Sequence, residues 1–121
     1  MKFLGIDYGR RKVGLAISEG KLAEPYKVVR YEDKESLINI VKKIIEDEEV
    51  EKVVVGISEN KMGNESKKFA EEINAETYDE TLTSIDAITL SIQGGVKRKK
   101  RKEMEDAYAA TIMLQNYLDS R

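Results

Sequence analysis

Seven residues near the start of the chain organise its sequence: Phe3-Leu4-Gly5-Ile6-Asp7-Tyr8-Gly9. They form an apolar run that ends on the carboxylate of Asp7, and a basic loop, Arg10-Arg11-Lys12, separates them from a second apolar run at 13–17. This pattern predicts a β-hairpin whose first strand carries Asp7 to the end of a sheet. Gly9 suits the turn because it can adopt a positive φ and lets a backbone or a phosphate come close. An acid at a strand end is typical of a catalytic or metal site, although aspartate is also common in plain turns.

The composition limits the chemistry. The 121 residues suit one compact domain, which we expect to span 1–121. There is no Cys and no His, so thiolate chemistry and histidine-based catalysis are excluded. The oxygen ligands that remain favour Mg²⁺, Mn²⁺ or Ca²⁺ over zinc. No apolar run is long enough to span a membrane and no signal peptide heads the chain, so we expect a cytoplasmic protein.

Positive charge is concentrated in one segment. The net charge is −2, yet six consecutive residues are basic: Lys97, Arg98, Lys99, Lys100, Arg101 and Lys102. Without those six, 15 basic and 23 acidic residues remain, which leaves the rest of the chain at −8. An acidic body with one dense basic segment indicates local attraction of a polyanion. Because no aromatic residue interleaves with the run, we expect it to contact a nucleic-acid backbone rather than stacked bases, with a solvated loop as the alternative.

The rest of the chain alternates between strand and helix patterns. A third strand is expected at 26–31, with Pro25 at its start, and an amphipathic helix at 34–48, capped by Asp33. The β-branched run at 53–57 indicates a buried strand parallel to the first. The remaining predictions are a short helix capped by Asn64, a strand at 77–79, a helix capped by Thr83 and a last helix over about 103–119.

This order, βββ-α-β-α-β-α-α, predicts a mixed α/β sheet in which three antiparallel strands lie beside parallel strands. Helices should cover both faces of the sheet, and the connection from the first strand through the helix at 34–48 to the parallel strand should be a right-handed crossover. It is the order of a ribonuclease H-like fold, and it places the first strand at the centre of the sheet. Alternation along that strand puts Gly5 and Asp7 on one face.

Three acids stand where predicted elements begin or end. Asp7 closes the first strand, Glu80 follows the last strand, and Asp106 lies in the first turns of the final helix. In metal-assisted phosphodiester hydrolysis such acids cluster, because two divalent cations about 3.5–4 Å apart stabilise the attacking and leaving oxygens together. We therefore expect Asp7, Glu80 and Asp106 to be catalytic residues that hold Mg²⁺ or Mn²⁺, with two ions as the expected number.

Each acid also has a structural explanation. Asp106 can stabilise the N-terminus of its helix through the helix dipole, and Glu103, one turn earlier, most simply does the same. Glu80 and its neighbour Asp79 can be turn residues. Any one of these acids alone is weak evidence, and the prediction depends on their positions in one fold order.

A set of short motifs along nearly the whole chain resembles one known family. The motifs are Gly5 to Gly9 with Val13 to Ala16; Val54 to Gly56 with Gly63 and Phe69; Tyr78 to Glu80 with Leu82 to Ser84; Gly94 and Gly95 before the basic run; and Asp106 with Ala109, Ala110, Leu114 and Gln115. They are similar to those of the YqgF family, ribonuclease H-like proteins described as Holliday junction resolvases and as nucleases of pre-16S rRNA processing. The resemblance implies that Asp7, Glu80 and Asp106 form an acidic active site. Two positions depart from the family pattern: Thr81 stands where arginine is usual, and Ile57-Ser58 stands where proline is usual.

The leading hypothesis is a metal-dependent nuclease that acts on structured RNA or branched DNA, with Arg10, Arg11 and the basic run on the nucleic-acid backbone. The resemblance favours 5′-end processing of pre-16S rRNA in ribosome biogenesis, with Holliday junction resolution in recombination and repair as an alternative. Junction resolution would favour a symmetric dimer, and the sequence is compatible with a monomer or a homodimer. Thr81 keeps open a noncatalytic nucleic-acid-binding module. A nucleotide binder related to actin and sugar kinases is less favoured, since those proteins close two domains around the nucleotide.

Overall fold

The computed structural model describes residues 1–57, 63–79 and 104–120. Its strands are β1 (Phe3–Asp7), β2 (Lys12–Ser18), β3 (Ala23–Arg30), β4 (Lys52–Ile57) and β5 (Glu76–Asp79). Its helices are α1 (Lys34–Asp47), α2 (Gly63–Glu72) and α3 (Glu105–Asp119). The helix predicted after Thr83 lies outside the described residues.

The five strands form one mixed sheet in the order β3-β2-β1-β4-β5. Strands β1 to β3 form an antiparallel meander, while β4 is parallel to β1 and β5 is parallel to β4. The central strand is β1, and Leu4 and Ile6 on it are fully buried. The predicted position of Asp7 on the central strand, and the predicted parallel strand at 53–57, are confirmed.

Helices cover both faces of this sheet, as predicted. On one face, Leu4 and Ile6 lie in a cluster with buried residues of α1 and α2, among them Val41 and Phe69. On the other face, Phe3, Ala16 and Val54 pack against α3. The side chains of β1 therefore alternate between two apolar layers, which is why residues 3–6 of the strand are all apolar.

Most element boundaries agree with the sequence, and three differ. The predicted cap of α1 is confirmed, since a side-chain oxygen of Asp33 accepts a hydrogen bond of 2.8 Å from the Ser36 N–H. Strand β3 begins before Pro25 rather than after it, because an edge strand tolerates a residue without an N–H donor. Asn64 lies inside α2 and does not cap it, since that helix begins at Gly63. Helix α3 begins at Glu105, two residues later than expected.

Candidate active site

Asp7 is the last residue of the central strand and is half-buried. It pairs with Gly14 on β2 and with Gly56 on β4. Alternation along β1 places Asp7 on the same face as Phe3 and Gly5, which is the face that packs against α3. Neither cross-strand neighbour adds a side chain next to the carboxylate. At the end of β1, the carboxylate of Asp7 therefore has a glycine on each neighbouring strand.

Asp106 reaches the same place from the first turn of α3. A Cβ atom built on Gly14 would lie 1.9 Å from the carbonyl oxygen of Asp106 and 2.7 Å from the backbone nitrogen of Ala107. Only glycine leaves room for the helix to lie so close to β2. Because Gly14 is also the partner of Asp7 in the ladder, Asp7 and Asp106 flank one glycine at one end of one face of the sheet.

Gly5 on β1 also allows close packing of α3 against the sheet. A Cβ atom on Gly5 would lie 2.9 Å from Cβ of Leu114 and 3.4 Å from the carbonyl oxygen of Ala110. Thr111 is buried in this layer, and its hydroxyl donates a 2.7 Å hydrogen bond to the carbonyl oxygen of Ala107. That bond satisfies the buried hydroxyl within the helix. Glycines and alanines thus fix how far Asp106 stands from the sheet.

Lys12 is a site residue that the sequence analysis missed. Its Nζ lies 3.1 Å from Oδ2 of Asp106, and the two side chains are 43% and 31% exposed. Lys12 is the first residue of β2, two positions before Gly14, so alternation puts both residues on the face that meets α3. That alternation was the available signal. The sequence analysis treated Lys12 only as part of a basic turn.

The turn between β1 and β2 is held in place by Tyr31. Its hydroxyl donates a hydrogen bond to the carbonyl oxygen of Gly9, and its N–H donates to the carbonyl oxygen of Arg11 at 3.0 Å. Burial, and then the hydrogen bond to Tyr8, raise the pKa of Tyr31 well above its ordinary value, so the phenol stays protonated and able to donate. This contact ties the turn to the end of β3.

Glycine is required at position 9 because a side chain would not fit in the turn, and not because of an unusual φ. Among the described glycines, Gly20 has a positive φ of 128° and Gly9 does not, so Gly9 does not use the conformational freedom that glycine allows. A Cβ atom on Gly9 would lie 2.5 Å from the carbonyl oxygen of Lys12. The expected close approach of backbone is therefore found, because the turn is tight enough to exclude any side chain at this position.

Arg10 and Arg11, the predicted backbone-binding residues of this turn, are both exposed. A guanidinium nitrogen of Arg10 lies 3.9 Å from Oε1 of Glu65 on α2, with the side chains 74% and 50% exposed. Such an exposed pair contributes little to stability, so Arg10 can exchange Glu65 for another anion at small cost. Both arginines follow Asp7 within four residues and stand beside the acid end of β1.

The third predicted acid, Glu80, lies outside the described residues, as do Thr81, Glu103 and the basic run at 97–102. Asp79 is described, and its register in the sheet determines which face it lies on. It pairs with Ile57, whereas Tyr78 pairs with Gly56 and so shares the face of Asp7. Asp79 therefore lies on the opposite face of the sheet.

The described acids suit a hard cation but do not complete a site. Asp7 and Asp106 offer carboxylate oxygens, the ligands that Mg²⁺ and Mn²⁺ prefer. Within residues 1–57, 63–79 and 104–120, no group of three or more His, Cys, Asp or Glu side chains could hold a metal ion. The chemistry of the two described acids thus fits a divalent metal. No helix in these ranges is long and apolar enough to cross a membrane.

Solved structures share the fold of this mixed sheet. Among solved structures, T. thermophilus RuvC in complex with a Holliday junction substrate matches with a TM-score of 0.60 and 18% identity, over 99% of this chain and 96% of that chain. The Holliday junction resolvase of fowlpox virus matches with a TM-score of 0.62 and 13% identity, over 99% of both chains. These matches confirm the predicted fold class.

A family model described as RuvX, Holliday junction resolvase, matches residues 1–120. The "Putative pre-16S rRNA nuclease" of Halothermothrix orenii is 33% identical over 133 residues, covering 98% of this chain and 95% of that protein. The protein of the same name from Dictyoglomus thermophilum is 34% identical over 134 residues, covering 99% of this chain and 96% of that protein. The chain therefore belongs to the RuvX family, which is the YqgF family that the sequence motifs resemble. The predicted family and the predicted nuclease class are both confirmed.

Proposed function

We propose that Asp7, Glu80 and Asp106 form the active site of this nuclease and hold Mg²⁺ or Mn²⁺, with two ions as the expected number. The observation that carries the proposal is the contact of the Asp106 backbone with Gly14, the partner of Asp7 in the sheet. That contact supports the proposal, because it brings the backbone of Asp106 against the strand partner of Asp7. Glu80 enters the proposal by sequence, since it directly follows Asp79, the last residue of β5.

The chain contributes rigidity and charge to the reaction. Asp7 stands on a strand paired on both sides, and Asp106 stands on a helix in backbone contact with that sheet. Elements of this kind hold functional groups more accurately than loops do. Bound divalent cations would supply Lewis-acid stabilisation of the phosphate and activation of water. The carboxylates of Asp7 and Asp106 are half-buried, and their negative charge would attract such cations.

We propose structured RNA as the substrate, with the 5′ end of pre-16S rRNA as the specific target. The names of the relatives support this choice, and work on ribosomal RNA precursors would place the protein in the cytoplasm. Arg10, Arg11 and the basic run at 97–102 would bind phosphates, because lysine and arginine supply affinity that does not depend on base sequence. We also propose that residues 1–121 act as a single domain, which the one continuous sheet supports.

A second candidate function is cleavage of branched DNA. The description of the family model and the titles of the similar solved structures favour it. A four-way junction needs two symmetric cuts, so this function would require a homodimer, whereas end processing of RNA is compatible with a monomer.

One experiment separates the two substrates. The purified protein is incubated with end-labelled pre-16S rRNA that carries its 5′ extension, and in parallel with a four-way DNA junction. Each reaction is run with Mg²⁺, with Mn²⁺ and with a chelator. We expect metal-dependent cleavage of the RNA near the mature 5′ end. Paired symmetric cuts in the junction alone would favour the second function, and no metal-dependent cleavage of either substrate would contradict both.

A further inference from the structure

A lysine ammonium lies directly against one acid of the proposed metal site. Lys12 Nζ is 3.1 Å from Oδ2 of Asp106. The structure contains comparable pairs elsewhere, such as Lys34 with Glu72 at 2.7 Å, and that pair joins α1 to α2 on the other face of the sheet. The Lys12 pair differs in its partner, because Asp106 is a carboxylate that we assign to metal binding.

The backbone of Lys12 is fixed, while its side chain can move. The turn before it is closed by the backbone contact of Gly9 with Lys12 and by the two hydrogen bonds from Tyr31. Helix α3 is fixed on the other side by its contact with Gly14. The Lys12 side chain itself is 43% exposed, so its ammonium can leave Asp106 for solvent through rotations of its flexible stem.

We propose that Lys12 is a positioning residue that serves as the counter-ion of the metal site. Its ammonium holds the Asp106 carboxylate in the metal-free protein and leaves that carboxylate when Mg²⁺ or Mn²⁺ binds. This inference rests on the proposed nuclease function. The physical reason is that acids gathered without metal repel one another, and a nearby cation relieves that repulsion. A divalent ion takes over the same task more strongly and repels the ammonium.

The competition has a measurable size. A lysine ammonium and a divalent cation that share one carboxylate repel each other even in water, and this repulsion weakens metal binding. Because Lys12 is partly exposed and can swing away, only part of this repulsion remains when the metal is bound. Removing the charge should therefore tighten Mn²⁺ binding by about three- to tenfold at low salt, and added salt should shrink the difference.

The test is isothermal titration of the purified 121-residue chain with Mn²⁺, without nucleic acid. Lys12→Gln and Lys12→Met remove the charge, and the second variant also keeps the apolar stem. Lys12→Arg retains the charge and should bind Mn²⁺ within about twofold of wild type. Lys34→Gln removes a matched lysine from the opposite face and should leave Mn²⁺ affinity unchanged.

A thermal readout accompanies the titration. Lys12→Gln should lower the melting temperature of the metal-free protein, because the charge of Asp106 loses its partner. It should also show a larger rise in melting temperature on adding Mn²⁺ than wild type does, because tighter ligand binding stabilises the folded state more. A purely structural ion pair would produce the first change without the second.

The outcomes separate this proposal from the function on which it rests. If wild type binds Mn²⁺ and both neutral variants bind it equally or more weakly, the counter-ion role of Lys12 is overturned while the metal site stands. If wild type binds no Mn²⁺, or if Asp7→Asn binds it as tightly as wild type does, the metal site itself is wrong, and the role of Lys12 with it. Tighter binding in Lys12→Gln and Lys12→Met, with no change in Lys34→Gln, supports the proposal.

Discussion

Replacing Gly14 by alanine should push the first turn of α3 away from the sheet. The added Cβ would lie 1.9 Å from the carbonyl oxygen of Asp106, 2.1 Å from the carbonyl carbon of Asp106 and 2.7 Å from the backbone nitrogen of Ala107. An ordinary contact between carbon and oxygen is about 3.4 Å, so this turn must retreat by about 1.5 Å. All three obstructing atoms belong to the backbone, and no change of rotamer can relieve the clash.

The energetic cost follows from the same contacts. Overpacking typically costs about 1–3 kcal/mol, and a backbone clash belongs at the upper end of that range. Alanine also lowers the conformational entropy of the unfolded chain, which offsets about 0.4–1 kcal/mol of this destabilisation. We therefore expect Gly14→Ala to lower the free energy of unfolding by about 2 kcal/mol, which a domain stable by about 5–15 kcal/mol survives. A displacement of Asp106 by more than 1 Å should reduce cleavage by about 100-fold.

Urea unfolding followed by circular dichroism, together with metal-dependent cleavage, measures both effects. Gly5→Ala is the matched control, since its Cβ would lie 2.9 Å from Cβ of Leu114, farther along the same helix. It should destabilise the protein less and reduce cleavage by less than about tenfold, because the smaller shift it imposes is about two turns from Asp106. Wild-type stability and wild-type cleavage in Gly14→Ala would refute the contact between α3 and β2.

Two further predictions concern the turn and the basic run. Burial holds the pKa of Tyr31 above its ordinary value of about 10, so the unfolded chain loses this proton first as pH rises and the free energy of unfolding falls. Tyr31→Phe should flatten that fall in urea unfolding between about pH 9.5 and 11, and an equally steep fall would contradict the role of Tyr31. Replacing residues 97–102 by glutamine should weaken nucleic-acid binding across sequences and flatten its salt dependence, by up to about 0.9 units of slope for each duplex phosphate that the run neutralises. Fluorescence anisotropy at several salt concentrations measures this, and an unchanged slope would reduce the run to a solvated loop.

Strand and helix patterns were enough to predict the sheet. The apolar run that ends on Asp7 and the β-branched run at 53–57 determined the central strand and its parallel neighbour, because buried parallel strands are apolar on both faces. The helical spacing of Leu37, Val41 and Ile44 determined the inner face of α1. These features depend on periodicity along the chain, which local sequence carries directly.

Contacts between distant elements were harder to predict. The contact of α3 with Gly14 depends on how closely a helix approaches a sheet. A glycine within a strand pattern does not indicate which helix will pack against it. The ion pair of Lys12 with Asp106 depends on that approach. The sequence suggests two reasons for glycine at position 9, a positive φ and a close approach of the backbone, and only the crowding against Lys12 is found.

Metal-dependent cleavage by Asp7→Asn tests the proposed active site most directly. Asparagine keeps the size of the side chain and removes its charge, so the fold should survive and the metal-free melting temperature should not fall, because repulsion from the neighbouring acids is relieved. Nucleic-acid binding should change little, since basic residues supply the affinity. The active-site proposal predicts near-complete loss of cleavage with binding retained. Cleavage at the full wild-type rate by purified Asp7→Asn would contradict it.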